Sequence, residues 1–410
     1  MNLLGIKITA FLGIVGYMIY VGALWYFDNQ GHPWFPYIGG MTDGIGAGMV
    51  FVVSGYTSLG FAEERHKGSY VALTYNLLAA GSIVGAFITL VVDHSITASI
   101  GVPESVYIVL LVIMGIIALI SLLLLPAEKL VRDDGSLIAK PRVIGVVDGI
   151  KGISNTLKDR RIWLLIPAFL PAECFLVYSG TINAFRNDLR ARSLNSFCAS
   201  VLQIPFSLVY AKLMDNKTWS RKKAAWIGTA YVGIPVIASW IWEIAKASKY
   251  DIHDPPQPLD WSQGDFAAIF ISFCLTWLGG SLFQYHISWL MGCFSNDPMK
   301  GAHYTGCFRA FLAAGEAICF GVMSMDTVPF VKVAGVIFTF YVLGIIGMCV
   351  VCMYYIEDTQ YFKEEAVVVP HHVYAEQGKL DPEEVDDGAD YANPENKSVG
   401  VELQQIVDRA

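Results

Sequence analysis

Four ionisable residues lie within long apolar stretches of the sequence, where a charge is difficult to place. They are Asp43, Glu173, Arg309 and Glu316. A charged side chain at the centre of a lipid bilayer costs at least ~2.5–3.5 kcal/mol, so such residues usually face a cavity or an opposite charge. We therefore take these positions first as candidates for holding a proton or an ionic group.

Glu173 follows two prolines, Pro167 and Pro171, in the apolar stretch 162–182. Proline removes a backbone donor and bends a helix, and interrupted helices often line binding sites in membranes. We expect Glu173 and the nearby Tyr178 to line a central cavity, where the carboxyl group takes up a proton or faces a cation. Alternatively, Glu173 is a neutral acid that hydrogen-bonds to a neighbouring helix.

Arg309 and Glu316 lie seven residues apart in one apolar stretch. On a helix this spacing places them on one face about 10 Å apart, too far for a direct ion pair. Each therefore needs water or a partner on another helix, and both are candidates for the cavity. Alternatively, Arg309 extends toward the lipid headgroups. Asp43 lies near the predicted outer end of its stretch, where exposure at the membrane interface is the simpler explanation.

Gln284 and Tyr285, in the stretch 265–291, are the best polar candidates for a cavity wall. Their side chains can hydrogen-bond a solute without introducing a charge. A buried hydrogen bond between two helices explains them equally well.

The sequence lacks the motifs of an enzyme. It contains no phosphate-binding glycine loop, no nucleophile motif and no cluster of His and Cys with metal-ligand spacing. Cys349 and Cys352 have the spacing of a redox pair, but in an apolar helix they are typical of packing. We therefore predict no catalytic residue, no metal site and no cofactor.

Ten apolar stretches are long enough to cross a bilayer as helices, because a ~30 Å hydrocarbon core needs ~20 residues. They cover residues 5–27, 36–61, 69–92, 105–126, 162–182, 194–214, 222–244, 265–291, 302–324 and 331–356. Within lipid each backbone polar group must be paired inside its own segment, which requires a helix. The predicted fold class is all-α, a polytopic transmembrane helix bundle.

Composition supports a membrane class and excludes nucleic-acid binding. Hydrophobic residues make up 54% of the 410 residues and charged residues 16%, against ~45–50% and ~25% in soluble domains. Residues 357–410 hold fourteen acidic and four basic residues, so the net charge of −8 arises from this tail. No clustered basic face is evident, and the expected partner common to all spans is membrane lipid.

Basic residues predict the orientation, because cytoplasmic loops of membrane proteins are rich in Lys and Arg. A cytoplasmic N-terminus places 17 bases inside and six outside, and ten crossings then return the C-terminus to the cytoplasm. The predicted organisation is a four-span bundle over 1–126, a linker with a surface helix over 127–161, a six-span bundle over 162–356 and a disordered acidic tail over 357–410.

Several local motifs resemble one family of membrane proteins. Leu125-Pro126 precedes the string Lys-Leu-Val-Arg-Asp-Asp-Gly over 129–135, and an apolar-aromatic run leads into Ser-Asn-Asp-Pro over 295–298. Both resemble the uncoordinated-ninety-three-like membrane proteins, fungal branch, of the major facilitator superfamily. Other matching residues are Gly16, Tyr17, Tyr20, Trp25, Glu64, Lys67, Gly68, Tyr70, Gly81, Gly85, Asn183, Phe185, Arg190, Arg192, Asn195, Gln284, Tyr285, Trp289, Gly306 and Arg309. Glu173 and Glu316 depart from the family pattern.

The resemblance implies twelve helices, six on each side of the central loop, whereas four precede the loop here. Asn2, Gly5 and Lys7 look like the end of the loop between the second and third family helices. We expect that the first two helices are lacking, through a shortened gene model or in a ten-helix variant. Major facilitator transporters rock two helical halves around a site near the membrane midplane. The number of helices in the first half therefore matters for whether the chain can transport.

The resemblance also implies that charged cytoplasmic loops latch the two halves together. The candidates are Glu64, Arg65, Lys67, Arg132 and Asp134. Alternatively, these charges are solvated and only set the orientation. The leading functional hypothesis is transport of an unknown small organic solute by alternating access. The competing hypothesis is a transport-inactive accessory protein that regulates or escorts another membrane protein or channel.

Overall fold

The chain is almost entirely helical in the computed structural model, which describes residues 4–93, 104–126, 129–132, 135–138, 145–364 and 367–376. The helices are α1 (Gly5–Gln30), α2 (Trp34–Gly60), α3 (Lys67–Asp93), α4 (Glu104–Ser121), α5 (Val146–Lys158), α6 (Arg160–Phe169), α7 (Cys174–Arg186), α8 (Leu189–Met214), α9 (Arg221–Ala247), α10 (Phe266–Gly292), α11 (Pro298–Met323), α12 (Phe330–Tyr354) and α13 (His371–Glu376).

The ten predicted spans are confirmed as helices of membrane length, with α6 and α7 together forming the fifth. The glycine-rich stretch 36–61 forms the continuous helix α2. α8 begins five residues earlier than predicted because the Asp188 carboxylate accepts a hydrogen bond from the Ala191 backbone N–H, which satisfies a donor that the helix cannot pair. α5 lies within the linker 127–161, for which the sequence predicts a surface helix.

The fifth span is interrupted rather than merely bent. α6 ends at Phe169 and α7 begins at Cys174, so residues 170–173 form a break. Pro171 lies in this break. Proline has no backbone N–H to donate, and in a regular helix its ring would clash with the carbonyl group four residues earlier. Glu173 is the residue immediately before α7, so the break presents a carboxyl group inside the bundle.

Two helix groups contribute to the bundle: α1–α4, the first group, and α6–α12, the second group. α1 packs against α2 and α4, while α2 contacts α11 and α3 contacts α8. The main hydrophobic core lies in the second group, around fully buried residues of α6, α7, α9 and α12 such as Phe169, Tyr178, Trp240 and Tyr341. The pairs α2–α11 and α3–α8 therefore carry contacts between the two groups.

Glycines allow α12 to approach α6 closely. A Cβ at Gly347 would lie 2.0 Å from the backbone oxygen of Leu164, whereas a Cβ at Gly335 on the same helix would meet nothing within 4 Å. We predict that Gly347→Ala lowers the free energy of unfolding by about 1–3 kcal/mol, because the two helices must separate. Gly335→Ala is the matched control and leaves it nearly unchanged. Thermal unfolding in detergent measures both, and an equal loss in the two variants contradicts this packing.

A second, smaller unit comprises residues 126–142 and 361–410. Within it, Val131 and Leu137 form an isolated antiparallel bridge. Arg132 Nη1 donates hydrogen bonds to the carbonyl oxygens of Leu137 at 2.7 Å and Val368 at 3.3 Å. Asp134, the other latch candidate of this segment, lies outside the described residues.

The predicted disordered tail begins with ordered structure. Residues 361–363 form a 3-10 turn, and α13 follows. Tyr361, Val367 and Val373 are buried together, because the apolar residues of the tail are concentrated in this part. The remainder of the predicted tail, residues 377–410, lies outside the described residues.

Candidate functional site

A buried ion pair joins α11 to the break in the fifth span. Arg309 Nη1 donates to Glu173 Oε1 at 3.2 Å, and only 9% of the Arg309 side chain and 17% of the Glu173 side chain are exposed. Arg309 Nη2 also donates to the Tyr75 hydroxyl of α3 at 3.3 Å. Arg309 is thus paired inside the bundle, and its partners come from both helix groups.

The break explains why Glu173 is available to Arg309. A residue that precedes a helix often uses its side chain to accept the unpaired backbone N–H groups of the first turn. Glu173 makes no such hydrogen bond to α7. Its carboxylate is directed to Arg309 instead, while the helix N-terminus still favours the negative charge.

Gln284 and Tyr285 occupy adjacent positions next to this pair. Gln284 Nε2 donates to the Ala172 carbonyl oxygen at 3.0 Å, which pairs a backbone group of the break. The Tyr285 ring stacks on Tyr75, with centroids 4.3 Å apart, and its hydroxyl donates to Gln203 Oε1 at 3.5 Å. Tyr75 also shares a 2.9 Å hydrogen bond with Ser288.

A pocket of about 80 Å³ opens beside these side chains. It is lined by Tyr75, Leu78, Ala79, Ser82, Glu173, Phe175, Leu176, Gln203, Trp277, Ser281, Gln284 and Tyr285. The structure therefore brings together three of the predicted cavity residues, Glu173, Gln284 and Tyr285. Arg309 does not line the pocket but is paired with Glu173, which does. The fully buried Tyr178 is not among the lining residues, and its ring packs on Trp240 at 5.2 Å.

Additional charges surround the ion pair. Glu316 interacts electrostatically with both Glu173 and Arg309, and Tyr17 of α1 interacts with Asp43, Arg309 and Glu173. The Asp43 Oδ1 atom is buried within the protein, whereas the sequence favours exposure of this carboxyl group at the membrane interface.

Tyr75, Gln203 and Trp277 line the pocket although the sequence did not single them out. Aromatic residues in apolar stretches are typical of packing. A signal for Gln203 was present, since it is an uncharged amide near the middle of the stretch 194–214, whereas the other amide, Asn195, lies at its start.

A second polar network lies at the end of the bundle where α2 and α10 end and α3 and α11 begin, here called the Lys67 end. Lys67 is fully buried. Its ammonium group donates to the carbonyl oxygens of Gly292 at 2.5 Å and Ser295 at 2.9 Å, and to Asn296 Oδ1 at 2.7 Å. A residue of the first helix group thus binds the α10–α11 turn of the second group.

Glu64 and Asp215 extend the network. Glu64 Oε1 accepts from Arg221 Nη1 at 3.2 Å, Asn296 Nδ2 at 2.6 Å and the Gln360 backbone N–H at 2.8 Å. The Asp215 carboxylate, at the end of α8, accepts from the backbone N–H groups at the start of α3. Burial raises the pKa of Asp215 above its ordinary value, against the opposing effect of these hydrogen bonds. Arg65 is exposed.

The opposite end of the second group is also held by polar contacts. Asn183 Oδ1 accepts from Asn187 Nδ2 and Asn195 Nδ2, both at 2.8 Å. Asp260, in the α9–α10 loop, accepts from Arg190, and this guanidinium holds the pKa of the Asp260 carboxyl well below its usual range. Within the described ranges, no group of three or more His, Cys, Asp or Glu side chains is arranged to hold a metal ion.

Comparison with known proteins gives the family context of these sites. No family model matches the chain. An uncharacterized membrane protein of Schizosaccharomyces pombe is 31% identical over 324 residues, covering 78% of this chain and 66% of that protein. UNC93-like protein 1 of Arabidopsis thaliana is 25% identical over 325 residues, covering 78% and 71%.

Solved structures establish the fold. The fucose:proton symporter FucP of E. coli has a TM-score of 0.56 at 11% identity, covering 85% of each chain. The proton:xylose symporter XylE has a TM-score of 0.57 at 13% identity, covering 86% of this chain and 81% of that chain. The chain thus has the fold of these major facilitator structures, and its sequence is similar to that of an UNC93-like protein. This chain spans about two thirds of the length of the curated relatives it matches, 66% and 71% of the two named here.

Proposed function

We propose that the chain transports a small organic solute by alternating access, with the pocket beside Glu173 as the solute site. The observation that carries this proposal is the buried Glu173–Arg309 pair at a broken helix, next to a pocket lined by both helix groups. Interrupted helices at the boundary between helix groups form the binding sites of many secondary transporters. A merely structural helix contact requires neither the break nor the charge.

The Lys67 end supplies a candidate gate for this cycle. Lys67, Glu64 and Asp215 each connect the α2–α3 region to loops of the second helix group. We propose that these contacts latch one end shut and that this end faces the cytoplasm, as the distribution of basic residues predicts. Of the latch candidates, Glu64 and Lys67 participate in this network, while Arg132 lies in the separate small unit.

Proton coupling is part of the proposal. FucP and XylE are named as proton symporters. In this chain, Glu173 or Glu316 is the proposed proton acceptor. A carboxyl group that alternates between an arginine and a proton couples a charge change to a conformational change.

Uptake measurements test the transport proposal. We predict that liposomes holding the wild type accumulate members of a panel of small organic solutes, more strongly under a pH gradient. Glu173→Gln is expected to reduce uptake at least tenfold, which corresponds to about 1.4 kcal/mol of lost solute stabilisation. The matched control is Glu104→Gln, a carboxyl group exposed at the start of α4, which leaves uptake unchanged.

The result that overturns transport is uptake by the folded wild type equal to that of empty liposomes for every solute. Stable co-purification of another membrane protein would then favour the accessory function. An exposed stripe on α2 gives that alternative a structural basis: a Cβ at Gly40, Gly44 or Gly48 would meet nothing within 4 Å, and small residues at this spacing allow a second helix to approach closely.

A further inference from the structure

We propose that the pocket beside Glu173 selects an organic cation, which binds by displacing Arg309 from the Glu173 carboxylate. This inference concerns the solute class and rests on the pocket assigned above as the solute site.

Carboxyl groups outnumber cationic groups around the ion pair. Arg309 forms an ion pair with Glu173. Glu316 interacts with both but forms no hydrogen bond or ion pair with any residue that the structure describes, and the buried Asp43 Oδ1 has no hydrogen-bond partner there. One guanidinium thus interacts with two carboxyl groups, an arrangement that opposes an anionic solute.

The guanidinium is itself incompletely paired. Arg309 is 8% exposed, and its buried Nε atom has no hydrogen-bond partner in the described part of the chain. An unpaired buried donor on a charged group is unfavourable, so an additional acceptor for this arginine, such as one on a bound solute, is favourable. Glu316, about two helical turns away on the same helix, interacts electrostatically with this guanidinium without pairing with it directly.

Aromatic faces and a carboxylate form the pocket wall. Tyr75 and Tyr285 are stacked, while Phe175 meets Trp277 edge to face with centroids 5.7 Å apart. All four rings line the pocket together with Glu173, and no lysine or arginine is among its described lining residues. Ring faces attract cations, most strongly those of substituted ammonium groups that lose little hydration. This wall suits a methylated ammonium group better than a neutral or acidic group.

Glu173 carries at most one negative charge, which Arg309 already balances. Its carboxylate both lines the pocket and accepts from Arg309 at 3.2 Å. A solute cation in the pocket competes with Arg309 for this negative charge, and the displaced guanidinium remains within electrostatic range of Glu316. Because Arg309 also binds Tyr75 of the first helix group, its release loosens a contact between the two groups. Solute binding is thereby linked to movement of one group relative to the other.

Binding of three probes of similar shape tests this inference. We use choline, its neutral isostere 3,3-dimethylbutan-1-ol and the anion 3,3-dimethylbutanoate, with the purified full chain in lipid nanodiscs. Isothermal titration calorimetry is expected to show choline binding at least about tenfold more tightly than either comparison probe. Quenching of tryptophan fluorescence by choline is expected to decrease in Trp277→Leu.

Two variants assign the binding to Glu173. Glu173→Gln is expected to weaken choline binding about tenfold, and Glu104→Gln is expected to leave it unchanged. If Glu173→Gln fails to fold, Trp277→Leu, which leaves the ion pair in place, must weaken choline binding several-fold. Equal binding of the neutral or anionic probe, or no choline binding by the folded wild type, overturns the inference.

The inference and the transport proposal fail separately. Choline that binds through Glu173 but is not accumulated in liposomes supports the cation site and contradicts transport. Accumulation restricted to neutral or anionic solutes supports transport and contradicts the cation site.

Discussion

Replacing Arg309 with methionine is expected to lower the free energy of unfolding by about 3–5 kcal/mol, because it leaves the Glu173 carboxylate buried without its counter-charge. Both side chains are mostly buried, with 9% and 17% exposed, so solvent screens the pair weakly. The Tyr75 hydroxyl loses the Arg309 donor as well. Equilibrium unfolding in mixed micelles measures the loss.

The double variant Glu173→Gln/Arg309→Met distinguishes the pair from two independent effects. Replacing both members of a buried ion pair with neutral side chains is often nearly neutral, so we expect the double variant to recover most of the stability lost in Arg309→Met. Arg160→Met, at an exposed arginine at the start of α6, is the control and costs little. A double variant whose loss equals the sum of the single losses contradicts a direct Glu173–Arg309 interaction.

The fold was predictable because its signal is local. Each span is a run of apolar residues, and in lipid the backbone of such a run has no alternative to the helix. The break in the fifth span was partly predictable, since Pro167 and Pro171 indicate an irregular helix. They do not specify that residues 170–173 form turns instead of regular helix. That outcome depends on the neighbouring helices that pair the freed backbone groups, as Gln284 does for Ala172.

The partners within the site were less predictable because they depend on packing across the bundle. The spacing of Arg309 and Glu316 indicates that each needs a partner elsewhere, but not that Arg309 meets a residue 136 positions earlier in the chain. Tyr75 illustrates the same difficulty, since only its approach to Arg309 and Tyr285 distinguishes it from other tyrosines in apolar stretches. Among the loop charges, Lys67 and Arg65 look equivalent in sequence, yet one is buried and the other exposed.

Replacing Lys67 with methionine is expected to open the Lys67 end of the bundle. The ammonium group satisfies three acceptors on the α10–α11 turn, and each buried acceptor left unpaired costs about 1–3 kcal/mol. The positive charge also lies at the C-terminal end of α10, where it complements the helix dipole. A loss of this size shifts the population from the closed state toward states in which α3 separates from the α10–α11 turn.

Cys293 reports this opening, because it is fully buried directly after α10. Burial raises the pKa of its thiol to about 11, so in the closed state both access and thiolate formation are suppressed. We predict that a water-soluble maleimide modifies Cys293 at least about tenfold faster in Lys67→Met than in the wild type, since tenfold corresponds to only about 1.4 kcal/mol. Peptide mass spectrometry quantifies the modified fraction over time.

Cys274 separates gate opening from unfolding. Cys274 is buried within α10, nearer the opposite end of the bundle than Cys293. Global unfolding therefore exposes both cysteines, whereas opening of the Lys67 end exposes only Cys293 of the two. Lys151→Met is the matched control, because Lys151 on α5 is largely exposed and pairs only loosely with Asp148 at 3.6 Å. Faster modification of both cysteines, or none in Lys67→Met, contradicts a latch. Selective modification of Cys293 shows that the buried lysine holds this end closed, as alternating access requires of a residue that joins the two helix groups.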